Sequence, residues 1–254
     1  MLPDRRPQSD LECRVLLEDP ELADTLAPQL RALAIERCTA PLMQLGRGAW
    51  TPAEAAGALQ RGIGLLVLDG LLLRRVGVDG RFGAELLGEG DLLRPWQGPD
   101  SQAALAQETG WRVLTPARIA LLDEAVALRF ADYPQLTGTL VGRALERTMN
   151  LAVNMAIVHQ ARVIVRLQML FWHFAARWGR VGSAGIVLPV RLTHTVLADL
   201  VAARRPTVTS SLSELARQGT VRPRRDGWLL TGEPPGELLE IQDIHGVTVA
   251  TQGP

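Results

Sequence analysis

The chain has 254 residues, 47% of them hydrophobic, and its 27 basic residues are balanced by 27 acidic ones. That length has room for about two domains with real cores, while a net charge of zero leaves only local asymmetry to point at a charged partner. Two cysteines, Cys13 and Cys38, are too few for a disulfide framework or an iron–sulfur cluster, and a buried thiol is expected of each.

The first ten residues lack the apolar core of a secretory signal. The longest apolar runs, such as Gly62–Leu73 with Asp69 inside it, fall short of a membrane span. No membrane partner and a cytoplasmic location are therefore expected. Every basic residue is arginine, a usage associated with high-GC bacterial genomes.

In chain order, residues 11–37 carry Leu16, Leu17, Leu22, Leu26, Leu30, Leu33 and Ala34 in a broken amphipathic pattern that predicts helix. From Met43 to Leu122 the texture changes to short apolar runs punctuated by glycine. Leu65–Leu68, Leu71–Leu73, Ala84–Leu87 and Trp111–Leu114 are the strand candidates, with Asp69-Gly70 and Asp79-Gly80 as turn signals. This spacing predicts a small antiparallel β-roll.

A single long helix is predicted from Pro134 to Gly179, with no proline between. A heptad frame through Met149, Val153, Ala156, Gln160, Val163, Leu167, Leu170 and Phe174 is apolar except at Gln160. Met149, Val153, Ala156, Val163, Leu167 and Leu170 are accordingly the candidate dimerisation residues of a homodimer. His159 and His173 on this helix read as packing residues, not metal ligands.

The stretch Leu192–Gly232 reads as a winged helix-turn-helix. Thr193 can cap a helix carrying Leu197, Leu200 and Val201, Ala202-Ala203-Arg204 makes the connection, and Pro206 falls in the first turn of a second helix. Val208, Leu212 and Leu215 form that helix's apolar stripe, Gly219 its left-handed cap. Asp226-Gly227 then signals a hairpin. Residues 204–225 hold six arginines against one acid, Glu214, a local net charge of 6 − 1 = +5. A basic patch on a presented helix is the electrostatic footprint of DNA binding. The candidate DNA contacts are Arg204, Arg205, Thr207, Thr209, Ser210, Ser213, Arg217, Arg222, Arg224 and Arg225. His194, at the start of the first motif helix, is placed for a phosphate contact.

A glycine-rich roll, a long helix and a C-terminal winged helix-turn-helix resemble the cyclic AMP receptor/FNR family of bacterial transcription regulators. Arg191–Gly232, Gly90-Asp91 and Tyr133-Pro134 carry the likeness. It implies an α+β fold: a double-stranded β-helix (jelly roll) over residues 1–135, a dimerisation helix over 136–180, a winged helix-turn-helix over 181–241 and a tail over 242–254. It further implies that Arg205 reads a guanine edge and that Thr207 serves the phosphate backbone. Pro206, Ser210 and Ser211 depart from the family pattern, which implies a different target sequence.

The sensor end departs further. Where the family's cyclic-nucleotide binders supply a carboxylate and backbone donors, this chain has Arg94-Pro95-Trp96. The phosphate-neutralising run is met by Ser101-Gln102-Ala103, and the adenine-reading pair by Leu151-Ala152. Neither cyclic AMP nor cyclic GMP is therefore expected to regulate the chain. An effector pocket would involve Arg94, Trp96, Leu151 and Ala152, for an unidentified small molecule or none.

The expected partners are double-stranded DNA at a pseudo-palindromic operator, a second copy of the chain, and RNA polymerase. No cofactor, metal or catalytic function is expected, because no nucleophile–base–acid motif or metal-ligand spacing occurs. The alternative function is a ligand-binding or scaffold protein whose winged helix docks protein in place of DNA.

Overall fold

The computed structural model describes residues 11–52, 59, 61–96 and 107–234. The chain divides into two compact units, Met1–Leu151 and Ala152–Pro254.

The first unit is built of β1 (Leu11–Arg14), α1 (Val15–Glu18), α2 (Pro20–Asp24), α3 (Pro28–Arg37), β2 (Thr39–Leu45), β3 (Gly48–Trp50), β4 (Gly64–Val78), β5 (Arg81–Leu87), β6 (Leu92–Leu93), β7 (Glu108–Leu122), α4 (Glu124–Phe130) and the start of α5 (Pro134–Val158). The strands form one antiparallel sheet in the order β1-β2-β7-β4-β5, with β3 added to β7 and β6 to β4. Residues 11–14, expected to be helical, are the edge strand β1. Cys13 there faces the core, which a helix starting at Val15 then continues.

The continuous apolar run at Leu65–Leu68 reflects a sheet covered on both faces. Leu66 and Leu68 lie in a core with α1, α3 and the helical residues Phe130, Leu136 and Leu140. Leu65 and Val67 point the other way, into the roll interior with Leu87, Trp111, Val113 and Ile119. Alternation therefore exists in space although both sets are apolar. Both cysteines sit in the first core, and burial pushes their thiols up to about 11. They remain protonated packing groups at neutral pH.

Asp79-Gly80 is the β4–β5 hairpin turn, and both residues have positive φ, 51° and 70°. Asp69-Gly70, expected to separate two strands, instead lies inside the single strand β4, where the pairing with β7 shifts register. Gly70 adopts φ +95°, and a Cβ there would collide with the carbonyl oxygen of Pro116. The dipeptide bends a long strand by a bulge and does not end it.

Two arginines four residues apart on α5, and so on one face, fasten that helix to the unit. Arg143 donates to both carboxylate oxygens of buried Asp19, through Nη2 at 2.9 Å and through Nη1. Arg147 donates from Nε and Nη2 to Glu85 at 2.7 and 2.9 Å, and from Nη1 to the carbonyl of Leu92 at 3.3 Å. Arg74 of β4 completes the cluster at 2.9 Å from Glu85.

The second unit contains the end of α5, then α6 (Val163–Trp178), β8 (Arg180–Gly182), β9 (Gly185–Leu188), α7 (His194–Leu200), α8 (Arg205–Gln218), β10 (Val221–Arg224) and β11 (Gly227–Leu230). Its sheet runs β10-β11-β9-β8, all antiparallel. The single helix expected from Pro134 to Gly179 is two helices, broken at residues 159–162. Arg162 is extended there, with φ −100° and ψ 127°. The carbonyl of Gln160, two residues past the end of α5, is taken by the Arg166 side chain at 2.6 Å, so a side-chain donor holds the break. Beyond the break Leu167, Leu170, Phe171 and Phe174 are buried, and α6 packs on α8 within the same unit. Leu167 and Leu170 are thereby withdrawn from the expected seam, and Val163 opens α6 half-buried.

Candidate nucleic-acid interface

The helix-turn-helix is set by local chemistry. Thr193 caps α7, its hydroxyl oxygen accepting from the Val196 N–H at 3.3 Å. Val196, Leu197, Leu200 and Val201 are buried. The turn closes through Ala202, at φ 49°, and through the Ala203 N–H donating to Ala198 at 2.9 Å. Arg166 donates to the carbonyls of Val201 and Ala202 at 3.1 and 3.4 Å. One guanidinium thus fastens the turn to the α5–α6 break, a link no sequence motif announces.

Arg204 precedes α8 with extended backbone, and Pro206 occupies the first turn. The first-turn N–H groups of Arg205 and Thr207 have no partner within the helix; with the helix dipole they favour an anion at this end. Val208, Leu212 and Leu215 are buried, while Arg205, Thr207, Thr209, Ser210, Ser213 and Arg217 are exposed. Gly219 caps the helix at φ 80°. The predicted stripe and the predicted presented face are therefore both present on α8.

β10 and β11 form the wing. Arg224 pairs opposite Gly227, so the two-residue loop is Arg225-Asp226, one position earlier than the Asp226-Gly227 signal suggested. Gly227 packs so closely that a Cβ would collide with the Leu188 carbonyl oxygen; its role is close approach, not the turn. Arg222, Arg224 and Arg225 are exposed. Pro223 lies in the edge strand, where its missing N–H breaks no ladder. The wing is held from below by Trp228 against Phe171 of α6, ring centroids 4.8 Å apart.

Arg217 differs from the other arginines of the patch. Its Nε and Nη2 donate to Glu214 at 2.9 and 2.6 Å, and Gln218 adds a bond to the same carboxylate at 2.6 Å. The hydrogen bond from Arg217 holds the Glu214 carboxyl below its usual range. Arg217 therefore presents a neutralised pair, and the presented cationic charge rests on Arg204, Arg205, Arg222, Arg224 and Arg225.

His173 of α6 is half-buried beside Phe174, centroids 6.0 Å apart. Burial first, and the Arg177 charge second, lower its pKa from 6.5. The unfolded chain then binds the proton more readily than the folded one. Stability is complete above about pH 6.5 and falls as pH drops from there through the lowered folded value. Protection factors of the α6 amides, with the intrinsic exchange rate divided out, should fall on acidification through that window, and His173→Gln should flatten this dependence; equal pH dependence in both proteins would refute it.

In the first unit Gly90 (φ 83°) lies in a turn that Asp91 follows, buried and accepting from the Gly88 N–H at 2.8 Å. Arg94 and Trp96 come together, the guanidinium 5.9 Å from the ring, and Trp96 packs against the roll interior. Leu151 is half-buried and Ala152 exposed on α5, either side of the division between the units. Ser101-Gln102-Ala103 and the tail from residue 235 lie outside the described residues. Among the described residues no helix is long and apolar enough to cross a membrane, and no group of three His, Cys, Asp or Glu side chains could hold a metal ion.

The exposed side of α5 adds residues the heptad frame omitted. Val141, Leu145 and Met149 are 54%, 66% and 65% exposed at a spacing of four. Ala152, Met155 and Ala156 are exposed further along. The frame began too late to include the first two.

Residues 161–232 match the Crp-like helix-turn-helix domain family. In fold the chain is similar to a CooA mutant from Carboxydothermus hydrogenoformans, with a TM-score of 0.58 and 14% identity over 95% of this chain and 97% of that one. It is also similar to a cyclic nucleotide-binding domain containing protein from Listeria monocytogenes, with a TM-score of 0.61 and 11% identity over 83% and 96%. A third likeness is to CLP, a c-di-GMP responsive global regulator of Xanthomonas campestris, with a TM-score of 0.53 and 16% identity over 76% and 95%. No curated protein matches the chain in sequence.

Proposed function

We propose that this chain, which has the fold of Crp/Fnr-type transcriptional regulators and carries a Crp-like helix-turn-helix domain at residues 161–232, is a homodimeric, sequence-specific transcriptional regulator. The observation that carries the reading is α8. Its apolar stripe is buried on α6, and its other face presents Arg205 and a row of hydroxyls beside an arginine-bearing wing. A guanidinium at the start of such a helix can donate two bonds to guanine O6 and N7, and the wing arginines can neutralise phosphates.

The second copy is supported by the exposed apolar stripe of α5, since contiguous exposed apolar surface marks an interaction site. A two-fold dimer would present two recognition helices about one DNA turn apart and so select a pseudo-palindromic operator. On the sensor side, Trp96 packs on a roll interior filled by the chain's own leucines, Trp111 and Ile119. That filling and the absence of the family's cyclic-nucleotide residues support regulation without a cyclic nucleotide.

Genome-wide mapping of bound sites, followed by titration of the recovered operator, tests this function. Arg205→Ala should cost about 1–3 kcal/mol and relax preference at one base position. Arg224→Ala or Arg225→Ala should weaken binding to all sequences alike and lower the salt slope by about one unit. An Arg205→Ala variant with unchanged affinity and preference would remove α8 from the role of reading helix.

A further inference from the structure

On the presented face of α8 one hydroxyl has its proton already committed. Thr209 Oγ1 lies 3.1 Å from the carbonyl oxygen of Arg205, one turn back, and 2.9 Å from Nδ1 of His194 on α7. A carbonyl oxygen only accepts, and a hydroxyl has one proton. Both bonds therefore form together in one arrangement: Thr209 donates to Arg205, and His194 donates from Nδ1 to Thr209. Ser210 and Ser213 are held differently, each by one bond to the carbonyl four residues back, at 3.2 and 3.1 Å.

A helical threonine divides its population between two χ1 rotamers, because its oxygen can bond a carbonyl of the preceding turn. The bond from His194 selects between them. It ties the oxygen to α7 as well as to its own helix and leaves the Cγ2 methyl as the one unbonded end of an exposed side chain. An unpinned threonine could donate to a base or accept from one; this one has no donor left to offer.

We infer that Thr209 is a specificity-determining residue that reads a thymine 5-methyl group through its own methyl, and that His194 is the positioning residue that holds it in place. The inference rests on the proposed DNA-reading role of α8. The major-groove edge of thymine carries the only methyl among the four bases, and apolar contact with it is an established way of telling thymine apart.

The test uses the full-length protein and the operator it selects from random duplexes, with each thymine replaced in turn by deoxyuridine, which removes that methyl alone. One position per half-site should bind the wild type about four-fold more weakly, the worth of one buried methyl-sized group. Thr209→Val, which keeps the methyl, should retain that loss. Thr209→Ser, which lacks the methyl, should bind thymine and deoxyuridine equally there. His194→Ala should shrink the discrimination at this position and leave the base read by Arg205 unaffected.

A selected operator with no deoxyuridine-sensitive position overturns the inference while the regulator reading stands. So does a Thr209→Ser variant as sensitive as the wild type, or a Thr209→Val variant that loses operator affinity ten-fold. Undiminished discrimination in His194→Ala overturns the positioning role. A wild type that selects no sequence overturns the regulator reading itself.

Discussion

Glu85→Ala should lower the melting temperature of the first unit by about 10 °C, corresponding to a loss of about 3–5 kcal/mol. Glu85 is 6% exposed, and it receives two bonds from Arg147 and one from Arg74. Removing the carboxylate leaves two guanidiniums in a site that already penalises charge; burial lowers the pKa of Arg74, and Glu85 is the main group opposing that. Neither arginine can shed its proton near neutral pH, so the uncompensated charge persists.

The bidentate pair between Arg118 and Glu18 provides the contrast. It is about a third exposed on each side, and such pairs contribute about 0–1 kcal/mol. Circular-dichroism melts of Glu85→Ala and Glu18→Ala would separate the two regimes. Adding Arg147→Met to Glu85→Leu should recover part of the loss, because it removes one of the two guanidiniums left without a carboxylate, while Arg74 keeps the recovery incomplete. A Glu85→Ala protein within about 1 kcal/mol of wild type would mean that water or a rearranged carboxylate reaches the site.

Leu145→Glu should convert a dimer to a monomer in light scattering at micromolar concentration and weaken operator binding along with it. The leucine is 66% exposed, between Val141 and Met149 on the same stripe of α5. A two-fold contact repeats the stripe on both sides of the seam, so one substitution enters the interface twice. A glutamate there places two like charges in an apolar interface, at a cost of several kcal/mol if both are buried unpaired. A wild type that is monomeric at that concentration, or a Leu145→Glu protein that remains dimeric, would refute the seam.

The most legible part of the molecule was the part specified by neighbours in sequence. Thr193, Pro206 and Gly219 act within one helical turn of themselves, so residue type alone announces their role, and the helix-turn-helix stands where they place it. The α5–α6 break was illegible for the opposite reason. Residues 159–162 contain neither proline nor glycine, and the apolar period is interrupted there only at Gln160, a single polar position that a continuous helix tolerates. What stops the helix is the burial of Leu167, Leu170 and Phe174 in the core of the second unit together with the Arg166 bond, both tertiary.

The heptad frame read one periodic pattern where two different surfaces are served. At Asp69-Gly70 the turn dipeptide was real, but its chemistry fits a bulge as well as a hairpin, and only the partner strand decides. The ion pair of Arg147 with Glu85 spans 62 residues and that of Arg143 with Asp19 spans 124. The link of His194 to Thr209 crosses 15 residues between two helices. No window along the chain contains such pairs together.

The interruption at residues 159–162 also bears on how this protein can change. In an unbroken helix with one seam, a substitution that altered self-association would also propagate strain along the rod toward the base-reading helix. Here the exposed stripe from Val141 to Met149 and the buried stripe from Leu167 to Phe174 share no side chain and no backbone hydrogen-bond ladder across the gap. Sites without shared partners have nearly additive effects. On the proposed function, lineages could therefore retune the concentration at which two chains pair, one residue at a time, while the target sequence stays fixed, and could swap the target while pairing stays fixed.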